Sequence, residues 1–381
     1  MTDSKTMHEY YDFGLGLDLK QNVFLTKVIR KHRLQATRYE NAYAYMTIGE
    51  KKSLLGNPTY KKRLEELLNR KLIIEVPLGK NEMNANQILI GYIPSTLTYT
   101  RKKAYLPSLD RYNKILEDSL SPEAGSIYQT LLHSQVDITE EQLPIALRQT
   151  CTRNGRTDHD KYLMDNIAEI QERILDFNHN SSMYVVEDKF GDRVHTFASG
   201  LHQEIRKNNL LIYGNKTIEL DLHQSQMVIL GKIMKEYFGA NSFSDLVEKE
   251  DVYTHFGKLN GITQRSEAKK LMFRALFDRK GSKADLMLKT AFSDSYEFIA
   301  NIKSIKIGQN PSLKGYSNLS FMLQREESGI FRDVWKTLIT NNIPFLTAHD
   351  SIIVEKQNES MARQIMTQKL TEQIGSHITI C

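Results

Sequence analysis

Two strand-like runs in the second half of the chain each lead to an aspartate. The run Thr217-Ile218-Glu219-Leu220 ends at Asp221, and Ile343-Pro344-Phe345-Leu346 lies shortly before Asp350. A single aspartate at the end of a strand usually serves as a turn or cap residue, so neither indicates a site by itself. Two such aspartates brought together can hold the pair of divalent ions that nucleotidyl transfer uses. We therefore expect Asp221 and Asp350 to lie on adjacent antiparallel strands.

A helix-like segment between the two aspartates carries a stripe of cations and aromatic rings. Arg265, Lys269, Phe273 and Phe277 recur every four residues, which places them along one slowly drifting line on a helix. Two cations four residues apart repel each other unless an anion lies opposite. A triphosphate would supply that charge, and the two rings would stack on a base or sugar. The alternative is an ordinary amphipathic helix with Phe273, Phe277 and Leu276 in a core.

The composition permits a soluble enzyme and excludes several other classes. The 381 residues are 40% hydrophobic and 25% charged, ordinary proportions for one to three soluble domains. No apolar run approaches the roughly 20 residues of a membrane span, and the polar N-terminus lacks a secretory signal. Two cysteines cannot build a disulfide framework or a cysteine zinc site, so we expect a cytoplasmic protein. The net charge of +5 tolerates a polyanionic partner without requiring one.

Other catalytic patterns find little support in the sequence. The histidines are scattered without the spacing of zinc ligands, and no glycine-rich Walker-type phosphate loop occurs. Ser225 and Ser351 each lie close to an aspartate and a histidine, but strand-end neighbours point in different directions, so a hydrolase triad is poorly supported. Transfer of a phosphoryl or nucleotidyl group remains the favoured chemistry.

The N-terminal third reads as a small α/β region. Residues 58–71 have the apolar spacing of a helix, and two strand-like runs follow at 72–77 and 87–93, joined by a polar loop. This order resembles a winged helix, a fold that often binds DNA. A helix and hairpin with a purely supporting role fits the same pattern, and the sequence leaves both interpretations open.

Three short motifs in this order resemble family A DNA polymerases and the related phage-type single-subunit RNA polymerases. The first family motif, Asp-Tyr-Ser-Gln-Ile-Glu-Leu-Arg, shares Asp221 and Gln224 with this chain without a gap. The second, Arg-x3-Lys-x3-Phe-x3-Tyr, corresponds to the stripe of residues 265–277. The third, His-Asp-Glu or His-Asp-Ser, corresponds to His349-Asp350-Ser351. The resemblance covers about residues 185–381 and implies an α+β right-hand polymerase with an antiparallel palm sheet and helical fingers and thumb.

The resemblance also implies roles for individual residues. Asp221 and Asp350 would bind two Mg²⁺ or Mn²⁺ ions, with the backbone carbonyl of Leu222 as a further ligand. Arg265 and Lys269 would hold the triphosphate, and Lys269 would assist the leaving pyrophosphate. The remaining expected contacts are those of the nucleotide pocket and of the primer–template. They are Gln226, Phe273 and Phe277 for the nucleotide, and Arg193, His349, Gln324 and Arg325 for the primer–template.

Three positions depart from the DNA polymerase pattern, and all three bear on the choice of sugar. Gln226 stands where the family's glutamate excludes the ribose 2′-hydroxyl, and Phe277 lacks the hydroxyl of the usual tyrosine. A bulky Gln226 still favours deoxyribonucleotides. Ser351 replaces an acidic residue and instead matches the RNA polymerase relatives.

The whole sequence thus predicts three regions and one activity. We expect an N-terminal α/β region at 1–107, a helical connecting or thumb-like region at 108–182, and a palm with fingers at 183–381, the fingers at about 232–315. The expected activity is template-directed DNA synthesis without proofreading, in a reduced form typical of phages or mobile elements, with primer–template, nucleoside triphosphates and other replication proteins as partners. The alternatives are an RNA or primer-making polymerase and a non-catalytic DNA-binding replication protein.

Overall fold

The computed structural model describes most of the chain, which combines α-helices with antiparallel sheets. The described residues are 7–36, 44–56, 59–76, 87–91, 100–105, 118–153, 157–178, 184–188, 190–304, 317–375 and 378–381. They divide into two compact units. The first comprises Met1–Ser121 and Ile138–Met183, and the second comprises Pro122–Asp137 and Tyr184–Cys381. The division at 107 and 182 remains a prediction.

The first unit contains two small antiparallel sheets and a set of helices. Strand β1 pairs with β5, and β4 lies between β2 and β3. The strands are β1 (Met7–Asp12), β2 (Ala44–Thr47), β3 (Ile74–Val76), β4 (Gln87–Gly91) and β5 (Thr100–Tyr105). The helices are α1 (Leu19–Ala36), α2 (Ile48–Leu55), α3 (Tyr60–Asn69), α5 (Gln142–Arg153) and α6 (His159–Asn178), with α4 belonging to the second unit.

The helix predicted at 58–71 is α3, and its apolar face explains its position. Leu64 and Leu67 are buried one turn apart and join a core formed with residues of β1, α1 and α2. The strand-like runs that follow in the sequence are β3 and β4. The polar loop between them, residues 77–86, lies outside the described residues.

The second unit is built on a five-stranded antiparallel sheet in the order β11-β12-β10-β9-β6. These strands are β6 (Ser134–Val136), β9 (Leu210–Ile212), β10 (Asn215–Asp221), β11 (Phe345–Thr347) and β12 (Ser351–Glu355), and a separate pair is formed by β7 (Val185–Glu187) and β8 (Val194–Thr196). All residues of β11 and β12 are buried, including the polar Thr347, Ser351 and Glu355. The two strand-like runs that lead to the aspartates are therefore strands of one sheet, with β10 at its centre and β11 at its edge.

Helices pack around this sheet and carry the rest of the unit. They are α4 (Pro122–Leu132), α7 (Gln203–Asn209), α8 (Ser225–Phe238), α9 (Ser242–Lys249), α10 (Val252–Leu259), α11 (Arg265–Phe277), α12 (Lys283–Ala291), α13 (Tyr296–Ser304), α14 (Asn318–Thr340) and α15 (Glu359–Ile374). The helix expected from the stripe of cations and rings thus has the bounds of α11. None of the described helices is long and apolar enough to cross a membrane.

A buried ion pair ties α11, α12 and α13 together. The Lys303 ammonium donates to Asp285 at 2.7 Å and to the carbonyl of Ala275 at 2.6 Å, and both charged side chains are fully buried. Tyr296 donates its hydroxyl to the other carboxylate oxygen of Asp285 at 2.5 Å. Because Ala275 lies in the last turns of α11, this network fixes the end of the helix that carries the cation stripe.

Removal of the Asp285 carboxylate should destabilise the second unit strongly. Asp285→Ala leaves the Lys303 ammonium buried without its partner, a change that costs about 3–5 kcal/mol in comparable buried pairs. Urea unfolding measures the loss. The double variant Asp285→Leu/Lys303→Met, which removes both charges, should lose less than Asp285→Ala alone. Equal losses in the two variants would contradict the assignment of the cost to an unpaired charge.

Candidate active site

One cleft in the second unit gathers most of the residues singled out in the sequence. Its volume is about 330 Å³, within the range of small-molecule sites. It is lined by Arg193, Asp221, Leu222, His223, Gln224, Ser225, Gln226, Tyr253, Arg265, Lys269, Phe273, Glu327, His349 and Asp350. The cleft therefore joins the ends of β10 and β11, the start of α8, and the exposed face of α11.

The register of β10 against β12 brings the two aspartates together. Asp221 lies opposite Ser351, the residue that follows Asp350. The N–H of Leu222 donates to the carbonyl of Asp350 at 3.2 Å, which extends the pairing past the end of β10. The two aspartates thus lie at the same end of adjacent antiparallel strands.

A tight turn between β11 and β12 presents Asp350 to the cleft. Ala348 and Ser351 exchange backbone hydrogen bonds of 3.2 and 3.3 Å across His349 and Asp350. His349 has a φ of +60°, the left-handed conformation that two-residue hairpin turns commonly require. The turn places the carboxylate of Asp350 at the edge of the sheet instead of in the buried strand.

The carboxylates of the cleft repel one another and are poorly hydrated. Burial, the charge of Asp350 and the charge of Glu219 raise the pKa of Asp221 to about 7. Burial also raises the pKa of Asp350. Lys269 and Arg193 act in the opposite direction on Asp350, but they do not cancel the effect of burial. A cation bound between the two carboxylates would relieve this repulsion.

Two of the neighbouring carboxylates are already paired with arginines. Glu219 receives two hydrogen bonds from the guanidinium of Arg206, at 2.8 and 3.1 Å, and is nearly buried. Glu327 of α14 accepts from Arg193 and, at 2.8 Å, from the hydroxyl of Ser225. Asp221 and Asp350 are the cleft carboxylates for which the structure gives no such arginine ion pair within the described residues.

The cations of α11 face the cleft across an aromatic ring. Ala268, Met272 and Leu276 form the buried side of the helix, which leaves Arg265 and Lys269 exposed. The Arg265 guanidinium and the Lys269 ammonium lie 5.2 and 5.6 Å from the centre of the Tyr253 ring. The exposed cations and the buried Leu276 also fit the alternative of an ordinary amphipathic helix, whereas Phe273 and Phe277 are only half-buried.

Asp251 is a functional candidate that the sequence reasoning missed. Its carboxylate accepts two hydrogen bonds from the Arg265 guanidinium, at 2.6 and 2.9 Å, and lies 3.2 Å from His223. It also caps α10 by accepting from the N–H and hydroxyl of Thr254, both at 2.7 Å. Partial burial opposes ionisation, but the bonds from Arg265 and Thr254 outweigh it and lower the pKa of Asp251 to about 2. The capping pattern was visible in the sequence, whereas the partner 14 residues later was not.

Gln224 links the end of β10 to the start of α10. Its φ is +57°, which lets the chain turn sharply from β10 into α8. Its side-chain oxygen accepts from the N–H of Val252 at 2.8 Å. This bond fastens the segment that carries Asp251 to the end of the strand that carries Asp221.

The structure brings only some of the predicted nucleotide-pocket residues into the cleft. Gln226 and Phe273 line the cleft, and Phe273 stacks on Tyr253 with ring centres 6.0 Å apart. Phe277 does not line it, although its ring lies 5.5 Å from that of Phe273. Within the described part of the chain, the amide oxygen of Gln226 is buried without a hydrogen-bond partner.

The expected primer–template residues separate into two groups. Arg193 and His349 line the cleft, whereas Gln324 and Arg325 do not. Gln324 packs so closely on Gly191 that a Cβ there would lie 2.5 Å from its amide oxygen, and Arg325 pairs with Asp192 at 3.4 Å. Gln324 and Arg325 therefore support the loop that carries Arg193.

His349 is uncharged at neutral pH. Shielding from water and the nearby charges of Arg193, His195 and Arg206 lower its pKa to about 4. Its ring meets that of His195 edge to face, with centres 5.9 Å apart. A contact of His349 with a nucleic acid would thus be a neutral hydrogen bond and not an ion pair.

The donor set fits magnesium bound together with a substrate phosphate. Among the described residues, no group of three or more His, Cys, Asp or Glu side chains is arranged to hold a metal by itself. Mg²⁺ keeps several waters and takes phosphate oxygens, so two carboxylates suffice. The carbonyl of Leu222 accepts from the N–H of Ser225 at 3.3 Å and retains a second lone pair.

Comparison with known proteins adds a similarity of fold. No family model and no curated protein matches the sequence. A solved structure of the POL domain of Pol1 from M. smegmatis, in complex with DNA primer-template and dNTP, matches with a TM-score of 0.47 and 10% identity over 72% of each chain. At this TM-score the similarity assigns no activity to the present chain.

Loss of the Asp251 charge should weaken binding of a triphosphate to the cleft. Asp251→Asn keeps an oxygen for the α10 cap but no longer orients the Arg265 guanidinium by a charged pair, a contact worth about 1.5–3 kcal/mol. We expect about tenfold weaker binding of inorganic tripolyphosphate, measured by calorimetry. Thr254→Val, which removes a capping bond but keeps the ion pair, is the matched control. Tighter binding by Asp251→Asn would show instead that Asp251 competes with the ligand.

The raised pKa of Asp221 gives the metal-free protein a distinct pH dependence. The folded state keeps a proton on Asp221 up to about pH 7, whereas the unfolded chain releases it near its ordinary value of 3.8. The contribution of this group to folding stability is therefore present at low pH and declines as the pH rises from about 4 to above 7. Between pH 5.5 and 8, urea unfolding in EDTA should show a loss of stability of the wild type relative to Asp221→Asn, a comparison that removes the opposite effect of His349, whose pKa is lowered to about 4. Asp137→Asn, at an exposed position, should behave as the wild type.

Proposed function

We propose that the chain is a template-directed nucleotidyltransferase of the family A right-hand type, which adds nucleotides to a 3′ end. The observation that carries the proposal is the placement of Asp221 and Asp350 side by side in one cleft, opposite Arg265 and Lys269. In this assignment the five-stranded sheet is the palm, and α11 belongs to the fingers. DNA synthesis without proofreading is the favoured activity, with primer–template and nucleoside triphosphates as substrates.

The two aspartates would hold the divalent ions that this chemistry needs. Mg²⁺ or Mn²⁺ bound there would lower the charge on the attacking and leaving oxygens. The raised pKa of Asp221 and Asp350 supports this role, because each carboxylate gains most from a cation when it lacks an ion-pair partner of its own. Leu222 would contribute its carbonyl oxygen, in line with its place in the cleft.

Arg265 and Lys269 would bind the triphosphate tail and hold it against the aspartates. Arg265 can offer a planar, bidentate donor to phosphate oxygens, while Lys269 is a compact charge close enough to act on Asp221 and Asp350. Lys269 would thus neutralise the leaving pyrophosphate or supply its proton. The ring of Phe273, stacked on Tyr253, offers an apolar surface for the base or sugar.

Synthesis with ribonucleotides is the nearest alternative, and one observation favours it. The Gln226 amide oxygen in the cleft is buried without a partner among the described residues, and a ribose hydroxyl could donate to it. The bulk of the side chain favours deoxyribonucleotides instead. The hydroxyl of Ser351 is buried, with a carboxylate oxygen of Glu219 at 3.1 Å and the carbonyl of Ala348 at 2.9 Å as its possible acceptors.

A primer-extension assay tests the proposal and the choice of sugar together. With Mg²⁺, the wild type should extend a primer with deoxyribonucleotides, and Asp221→Asn and Asp350→Asn should each lower the rate at least a thousandfold while remaining folded. Asp137→Asn is the control at an exposed position. Extension with ribonucleotides but not with deoxyribonucleotides would contradict DNA synthesis and support synthesis with ribonucleotides. Full activity in both Asp221→Asn and Asp350→Asn would contradict the assignment of a two-metal site.

A further inference from the structure

The first unit contains two consecutive helices, α2 and α3, that the proposed chemistry does not use. Four residues of the sequence separate α2 from α3, the spacing found in helix–turn–helix motifs, and residues 57–58 among them lie outside the described residues. Gly56 opens the turn with a φ of +83°, a conformation that glycine adopts without strain. By this spacing α3 corresponds in order to the second helix of a helix–turn–helix, the one that enters the DNA major groove in proteins with that motif.

The backbone around this motif holds α3 at a surface. In chain order, α1, β2, α2, α3, β3 and β4 follow one another, and the sheet has the order β2-β4-β3. Leu64 and Leu67 pack into the core, with exposed fractions of 8% and 0%. The opposite side of α3 presents Lys61, Lys62 and Glu65 to solvent. The apolar side of α3 is thus packed in the core, and its polar side is open to contact with another molecule.

The start of α3 carries an excess of positive charge that a bound anion would balance. Lys61 and Lys62 lie in the first turn, where the helix dipole disfavours cations, and no acidic residue in that turn offsets them. Lys20 and Arg63 add positive charge at the turn: a Cβ on Gly56 would lie 2.6 Å from the Lys20 ammonium and 3.5 Å from an Arg63 guanidinium nitrogen. Asp18 pairs with Arg63 at 2.6 Å and neutralises only part of this charge.

The acidic and amide groups farther along α3 suit the reading of bases. Glu66 is occupied, since it accepts from Gln21 at 2.9 Å. Glu65 and Asn69 are exposed one and two turns after Lys61. In the major groove a carboxylate accepts from the amino group of cytosine, and an asparagine amide pairs with adenine. Phosphate contacts by the lysines would position the helix, and base contacts by Glu65 and Asn69 would add a sequence preference.

We propose that α3 is a second nucleic-acid contact of this protein and that it docks in the major groove of duplex DNA. Lys61 and Lys62 bind phosphates at the groove edge, and Glu65 and Asn69 face the bases. This contact belongs to the first unit and uses none of the cleft residues. It would let the protein bind duplex DNA without a 3′ end, a nucleotide or a metal.

The test is binding of the full-length chain to a blunt 20-base-pair DNA duplex in EDTA, measured by fluorescence anisotropy at several salt concentrations. Each phosphate contact contributes a slope of about −0.9 to the plot of log affinity against log salt. Lys61→Ala/Lys62→Ala should therefore lower the slope by about two. Its affinity deficit relative to the wild type should shrink about tenfold between 50 and 200 mM salt.

Two matched variants separate this contact from a general effect of charge. Lys336→Ala/Lys356→Ala removes two exposed lysines of the second unit and should bind duplex DNA nearly as the wild type does. Lys61→Arg/Lys62→Arg keeps the charge and should keep the slope. Primer extension at saturating primer–template should be unchanged in Lys61→Ala/Lys62→Ala, so a failure of the cleft assignment would be seen separately.

Two results would overturn the proposal. One is an unchanged affinity and salt slope in Lys61→Ala/Lys62→Ala, with folding verified by thermal melting. The other is an equal loss of affinity for single-stranded and duplex DNA, because a helix that reads the major groove requires a duplex.

Discussion

The pairing of β10 with β12 is the constraint on which the cleft depends. Side chains alternate between the two faces of a strand, so a shift of register by one residue would turn Asp221 away from the edge where Asp350 lies. Leu220 opposite Ile352, both fully buried, makes such a shift costly. The hydrophobic interior of the sheet thus sets the positions of the two polar residues at its end.

Arginine–carboxylate ion pairs lie around the two aspartates and reduce the negative charge that faces them. Arg206 holds Glu219, Arg193 holds Glu327, and Arg265 holds Asp251. Each pair also joins different elements, so each fixes the cleft as well as its charge. Asp221 and Asp350 have no such arginine partner among the described residues, and a bound cation with a phosphate would stabilise their ionised forms.

Much of the secondary structure could be predicted because its signals are local. The four-residue repeat from Arg265 to Phe277 predicted the bounds of α11, and the strand-like runs before both aspartates predicted two strands of one sheet. Residue spacing could not show which of several polar side chains point into the cleft. Phe277 lies on the predicted stripe but outside the cleft, since 3.6 residues per turn carry every fourth residue about 40° farther round the helix.

The sequence by itself determined the residue types at the ends of the strands and along α11, because these follow from local periodicity and short motifs. Only the tertiary structure decided which groups are paired and which are free. Asp251 and Glu327 stand 14 and 134 residues from their arginine partners, distances over which no local pattern predicts a contact. The same long-range packing buries the Gln226 oxygen, raises the pKa of Asp221, and leaves the basic start of α3 open to solvent.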